Sequence, residues 1–254
     1  TDRDSVGCER TDSGKPFSCV PLRWKTVPEY LQEAGISWRV YQDKDNFGDD
    51  PLVMWKQYQT SAKKKGDLAE RGTSFPGLQK FFDDARDGKL PEVSYIVAPM
   101  QLSEHPPYMP IDGAWLQGEV AKAVMHGKNW DSTALIYSYD ETGGWADHVV
   151  SPYPPQSEES EWIEDPYDKS NGISPIGPGF RLPFYIVSPW TSGGHVFTEH
   201  AAHESQIMFL EQWALAHGKP FTSEEIPTWR REQLSDLVKA CLLYTSDAAD
   251  DLLC

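Results

Sequence analysis

Four residues within nine positions carry most of the chemistry this chain offers. In "IYSYDETGGWADHV" a β-compatible run ends on Asp140 and Glu141, turns on Gly143 and Gly144, and presents Asp147 and His148. Neighbouring carboxylates repel unless a cation, a proton or hydrogen bonds compensate. A hard divalent metal ion is the simplest compensation, and an imidazole beside a carboxylate ligates metals or moves protons. Successive strand residues face opposite ways, so both carboxylates reach one centre only if the chain leaves the strand there; the glycine pair permits that turn. A second imidazole, His105, lies in "SEHPPYMP", stiffened by Pro106, Pro107 and Pro110.

All seven histidines lie from His105 onward, and His195, His200 and His203 crowd "GGHVFTEHAAHES". His200 and His203 share a face if that segment is already helical. There is no glycine-rich phosphate loop and no G-x-S-x-G elbow, and no Ser or Thr stands in the context of an activated nucleophile.

The elements that must position these groups alternate. "VPEYLQEAG" reads as a helix opened by Pro28 and stopped by Gly35, followed by a strand from Ser37 to Tyr41. "DDPLVMWKQYQ" and "FPGLQKFFDDARDGKLP" read as helices, the second ending at Gly88. "EVSYIVAP" is a strand closed by Pro99. "GAWLQGEVAKAVMHG" places Leu116, Val120 and Val124 on one helical face. "STALIYSYD" and "FRLPFYIVSPW" are strands, the first with the continuous apolar run of a buried parallel strand. "HESQIMFLEQWALAHG" is a helix with Ile207, Leu210 and Ala214 on one face, and "TWRREQLSDLVKA" is a last helix. The expected fold class is α/β, a mostly parallel sheet flanked by helices, whose ligands sit at the carboxyl ends of the strands. His105 and Asp140 then face one edge. Ser151 to Pro178 is rich in Pro, Gly and acidic residues and reads as a long surface excursion between two strands.

The chain has 254 residues, enough for one sizeable core, and no apolar run near the ~20 residues of a membrane span. Its formal net charge of −16 argues against broad nucleic-acid binding, which needs phosphate-neutralising Lys and Arg. The basic run Lys63–Lys65 reads as a solvated helix end. Cys8 and Cys19 bracket a short polar segment whose spacing admits a disulfide in a secreted protein. "CLLYTSDAADDLLC", residues 241–254, is similar to translated sequencing-adapter sequence and is not expected to belong to the native fold.

The segments "LPEVSYIVAP", "LSEHPPYMPIDGAWLQ", "STALIYSYDETGGWADHV", "GPGFRLPFYIVSPWTSGGHVFTEH" and "QIMFLEQW" resemble the phosphoesterase family of phosphatidylcholine-type phospholipases C and acid phosphatases, its fungal secreted branch most closely. The resemblance runs from about Cys8 to Ala240, making residues 1–240 the C-terminal portion of one alkaline-phosphatase-like domain. It implies that Asp140 and Glu141 belong to a metal centre binding a divalent ion of unspecified identity, that His105 and His148 are catalytic, and that Asp147, His203 and Arg181 line the site. Arg181 and Trp190 match a strand motif with a structural role. The family's usual acid before the last His is Ala202 here, which removes a partner from His203. The family's Glu-Asn metal ligands and its Thr or Ser nucleophile are expected upstream of Thr1.

The expectation is thus a secreted, metal-dependent hydrolase of phosphate esters acting through a covalent phospho-enzyme. Its substrate is a phospholipid or a phosphomonoester. Trp145, Tyr153, Trp162 and Trp190 would line an apolar entrance or fill the core, and contact with a lipid surface would be transient. The rival readings are a catalytically inactive phosphate- or carbohydrate-binding protein on the same fold, and a glycosidase using Asp140 or Glu141 with Asp147.

Overall fold

The computed structural model describes residues 7–10, 16–193 and 196–241, without the side chains of 8–10 and 16–18. His195 and residues 242–254 lie outside this description. The chain opens with β1 (Gly7–Arg10) paired antiparallel to β2 (Pro16–Val20), which sets Cys8 opposite Cys19. Cys19 and Cys241 are both in disulfides; the side chain of Cys8 lies outside the described residues.

Helix α1 (Val27–Glu33) starts where Pro28 fixes φ and where Glu29 accepts from the Thr26 N–H at 2.9 Å. Then come β3 (Trp38–Tyr41), α2 (Lys56–Lys64), α3 (Asp67–Gly72) and α4 (Leu78–Asp87). Gly88 ends α4 at φ 70°, a left-handed conformation that a Cβ would penalise. Strand β4 (Val93–Ile96) leads to α5 (Pro110–Met125), then to β5 (Leu135–Ser138). The 151–178 excursion carries β6 (Trp162–Glu164) and β7 (Ile173–Pro175), an antiparallel pair. Strand β8 (Phe184–Val187), α6 (His203–Ala216) and α7 (Thr228–Gln233) complete the order.

The centre of the molecule is three-layered. Leu116, Val120 and Val124 of α5 pack with Phe81 and Ala85 of α4, over Tyr41 and Ile96 of the β3–β4 pair and Leu135 and Tyr137 of β5. On the opposite face Trp38, Val40, Val93 and Tyr95 meet Leu31, Tyr58, Trp213 and Ala214. Phe209 of α6 meets Ile136 and Phe184. Alternation along each strand sends its two sets of side chains to the two helical layers.

The expected parallel sheet is present only in part. Strands β3 and β4 are parallel, but β5 pairs with β8 antiparallel, and each pair forms a two-stranded sheet among the described residues. The apolar run of β5 reports helices on both faces, not direction. No helical crossover joins β5 to β8; the excursion returns the chain without one, so the partner runs the other way. The last helix also stops early. Leu234 is extended and Leu237 takes φ 63°, which turns the Leu237 side chain into the cluster around Phe209.

Candidate active site

Loops at the carboxyl ends of three strands supply the site. After β3, the 43–50 loop is built on buried polar groups: Gln42 Nε2 donates to Asp50 at 2.8 Å and to the Ser74 carbonyl at 3.1 Å, while Asn46 bonds Gln42. The Gly48 N–H donates to Asn46 Oδ1 at 3.1 Å. These bonds present Phe47 and Asp49. After β4, a short 3-10 turn over Met100–Leu102 leads to Glu104, left-handed at φ 65°, and then to His105. The His105 ring lies 4.8 Å from that of Phe47. After β5 come Tyr139 and Asp140.

Electrostatics joins the three loops. The Asp49 carboxyl is raised above its ordinary pKa, first by burial, then by the negative charge of Asp140, against an opposing pull from His105. Asp49 was not among the expected site residues; its signal was an acidic, glycine-containing loop directly after a predicted strand. Nδ1 of His105 lies 2.8 Å from the Pro106 carbonyl, which can only accept, so Nδ1 donates there and Nε2 is the nitrogen left for another partner.

A triangle of side chains braces this edge. Glu104 accepts from Tyr139 Oη and from Gln117 Nε2, both at 2.9 Å, and Gln117 also donates to Tyr139 Oη at 2.8 Å. His203, the first residue of α6, donates from Nε2 to the Tyr139 carbonyl at 2.8 Å. It therefore holds the residue before Asp140 without needing a carboxylate at position 202. His200 precedes the helix, so the pair does not share a helical face; its carbonyl accepts from Ser235 at 2.8 Å.

The other expected residues are arranged differently. Glu141 turns back on its own loop and accepts from the Gly143 N–H at 3.0 Å. Asp147 is not the orienting partner of His148. Its carboxylate is taken by Arg181, with Nε and Nη2 at 2.6 and 2.8 Å. The Arg181 bond, with backbone N–H groups of Val149 and Arg181, holds Asp147 well below the ordinary carboxylate range. His148 is 91% exposed, with Nδ1 3.6 Å from Asp147. Trp190 packs into the core around Phe209, whereas Trp145 is 80% exposed. Carboxylate and imidazole donors suit a hard or borderline divalent ion. Yet no group of three or more His, Cys, Asp or Glu among the described residues is arranged to hold one, so these residues alone do not make a metal shell.

Sequence comparison relates the chain to known proteins. The chain is 33% identical over 261 positions to a non-hemolytic phospholipase C of Burkholderia pseudomallei, covering 89% of this chain and 37% of that protein. It is 39% identical over 233 positions to a non-hemolytic phospholipase C of Pseudomonas aeruginosa, covering 85% and 33%. It is 33% identical over 227 positions to phospholipase C B of Mycobacterium tuberculosis, covering 84% and 42%. The chain thus spans well under half the length of these relatives. The family model described as the phosphoesterase family matches residues 3–215, and the chain belongs to that family.

Proposed function

We propose that the protein to which this chain belongs hydrolyses the phosphate ester of a phospholipid, and that the edge formed by Asp49, His105 and Asp140 is this chain's share of the catalytic site. The reading is carried by relatives named phospholipases C, and is supported by the loops bearing Asp49, His105 and Asp140, where the His105 ring lies 4.8 Å from that of Phe47 and the charges of Asp140 and His105 both act on Asp49. With Nδ1–H held on the Pro106 carbonyl, Nε2 of His105 is the nitrogen left to exchange a proton, and when the ring carries a second proton there it can pass that proton to the departing alkoxide. Tyr139, held by Glu104, Gln117 and His203, fixes Asp140 relative to His105. Nucleophilic attack on phosphorus, through a covalent intermediate, is assigned to a residue outside this chain.

Metal dependence belongs to the same proposal. Asp140, with no charged partner of its own among the described residues, would supply one oxygen donor, with the remaining donors outside them. Glu141 would join only by leaving Gly143. Substrate would approach past Trp145, Val150, Tyr153 and Phe180. All four are exposed, and they flank the Asp147–Arg181 pair and the Ser151–Gly179 hydrogen bond that fix this rim. The test is turnover of phosphatidylcholine and of a small phosphomonoester by the full gene product, with metal content by elemental analysis. Preference for the lipid, and loss of metal in Asp140→Asn, are expected. Equal inactivity on both substrates would overturn the reaction, and unchanged metal content would overturn the ligand role.

A further inference from the structure

Among the described residues four that are not glycine take a left-handed φ: Phe47 at 61°, Lys65 at 54°, Glu104 at 65° and Leu237 at 63°. A Cβ makes that conformation costly, most of all for a bulky side chain, so each instance needs a cause. Lys65 has one in capping the C-terminus of α2, and Leu237 in burying its side chain beside Phe209. The other two converge. Phe47 carries its ring, and Glu104 delivers the residue that follows it, to one contact: the rings of Phe47 and His105 lie 4.8 Å apart, tilted by 44°. Within Asn46–Asp49 both central residues are left-handed, Phe47 at 61° and Gly48 at 81°, and the Asp49 N–H closes the turn on the Asn46 carbonyl at 3.1 Å. Turns with two such central residues favour Asn-Gly, and Phe is a poor occupant of the first position. Burial does not account for it, because Phe47 stays 42% exposed. What holds it there is the network beneath, where Gln42, Asn46 and Asp50 are buried and bonded to one another.

We propose that Phe47 is a positioning residue, whose ring fixes the orientation of the His105 imidazole and thereby the direction in which Nε2 exchanges its proton. The hold on that ring from Nδ1 to the Pro106 carbonyl, at 2.8 Å, lies within the His105 loop and moves with it. Phe47 arrives from the end of β3, so its contact ties the imidazole to the neighbouring strand of the sheet. Ring centres 4.8 Å apart fall in the range of attractive aromatic pairs. Glu104 anchors the same loop through Tyr139 and Gln117. A proton-transfer group has to meet its proton at hydrogen-bonding distance, so a small rotation of the imidazole lowers turnover without weakening substrate binding. This role rests on the reading of His105 as a proton-transfer group.

Phosphatidylcholine kinetics and histidine-ring NMR on the full gene product decide it. Phe47→Leu keeps an apolar side chain and removes the ring face, whereas Phe47→Tyr keeps the face. The expected result is a kcat lowered about tenfold or more in Phe47→Leu with KM within about twofold, and recovery to within about threefold of wild type in Phe47→Tyr. In a His105→Ala background, Phe47→Leu should cause no further loss. The His105 ring protons lie in the ring current of Phe47, so their resonances should move in Phe47→Leu and hold in Phe47→Tyr. An unchanged kcat in Phe47→Leu overturns the proposal. So does a loss confined to KM, a full further loss in the His105→Ala background, or ring resonances that do not move. Failure of the underlying reading is distinct: full turnover in His105→Ala refutes proton transfer by His105 and with it the catalytic consequence, and the ring NMR alone then decides whether Phe47 orients the imidazole.

Discussion

Replacing Gly113 with Ala separates the bracing of the site from ordinary helix physics. Gly113 lies in the first turns of α5, and a Cβ there would meet Glu104 Cγ at 2.1 Å, Oε1 at 2.3 Å and Cδ at 2.6 Å. Glu104 must move, and with it the acceptor of Tyr139 and Gln117. Two hydrogen bonds to a carboxylate contribute about 1.5–3 kcal/mol each when buried, and these are partly exposed, so about 2–3 kcal/mol is lost in total. Ala gains about 1 kcal/mol over Gly in a helix interior. The net is a destabilisation of about 1–2 kcal/mol. A Cβ on Gly118, in the same helix, would meet nothing within 4 Å. Gly118→Ala should therefore stabilise by about 0.5–1 kcal/mol. Urea unfolding of both variants, followed by circular dichroism, reads the difference. If Gly113→Ala stabilises as much as Gly118→Ala, Glu104 does not brace Tyr139 and the reasoning fails.

Carboxyl-carbon NMR should show the Asp49 titration moving down towards the ordinary range in Asp140→Asn and further up in His105→Ala, since Asp140 raises it and His105 lowers it. An unmoved titration in both would separate the three loops. Because the folded pKa is raised, Asp49 favours folding most below its unfolded pKa, and this contribution is lost as pH rises through the folded one. Asp49→Asn should remove that slope from the stability profile. Arg230 clamps Glu161 of the excursion, with Nε and Nη2 at 2.8–3.0 Å, and also bonds Glu204 beside His203. Glu161 is only 1% exposed, so Arg230→Met strands a buried charge and should destabilise by about 3–5 kcal/mol. The double variant with Glu161→Gln should recover much of this, and a double variant no better than the single would refute the clamp.

Local signals located most of the elements. Pro28 and Gly35 bracketed α1, Gly88 stopped α4, and the 3.6-residue spacing of Leu116, Val120 and Val124 picked out the buried face of α5. The face of α6 was legible only in part. Ala214 is buried, but Ile207 and Leu210 are half-buried while Met208 and Phe209 go under, because this helix serves two hydrophobic clusters. Its buried Glu211 is tolerated through Arg231, at 2.6 and 2.9 Å, a partner no local pattern reveals. The same limit hid the Asp147–Arg181 and Glu161–Arg230 pairs, 34 and 69 residues apart in sequence. Proximity of Asp147 and His148 in sequence suggested a couple, whereas the bidentate guanidinium offers that carboxylate more. Strand direction was illegible because burial, not polarity of pairing, sets the apolar run of β5.

The most direct test is phosphatidylcholine hydrolysis by the full gene product, wild type against His105→Ala and Asp140→Asn, with His148→Ala beside them. Lipid turnover falling by a factor of about 100 or more in the first two, and little in the exposed His148 variant, is the expected result. Full activity in His105→Ala and Asp140→Asn would contradict the placement of the catalytic edge at the ends of β4 and β5.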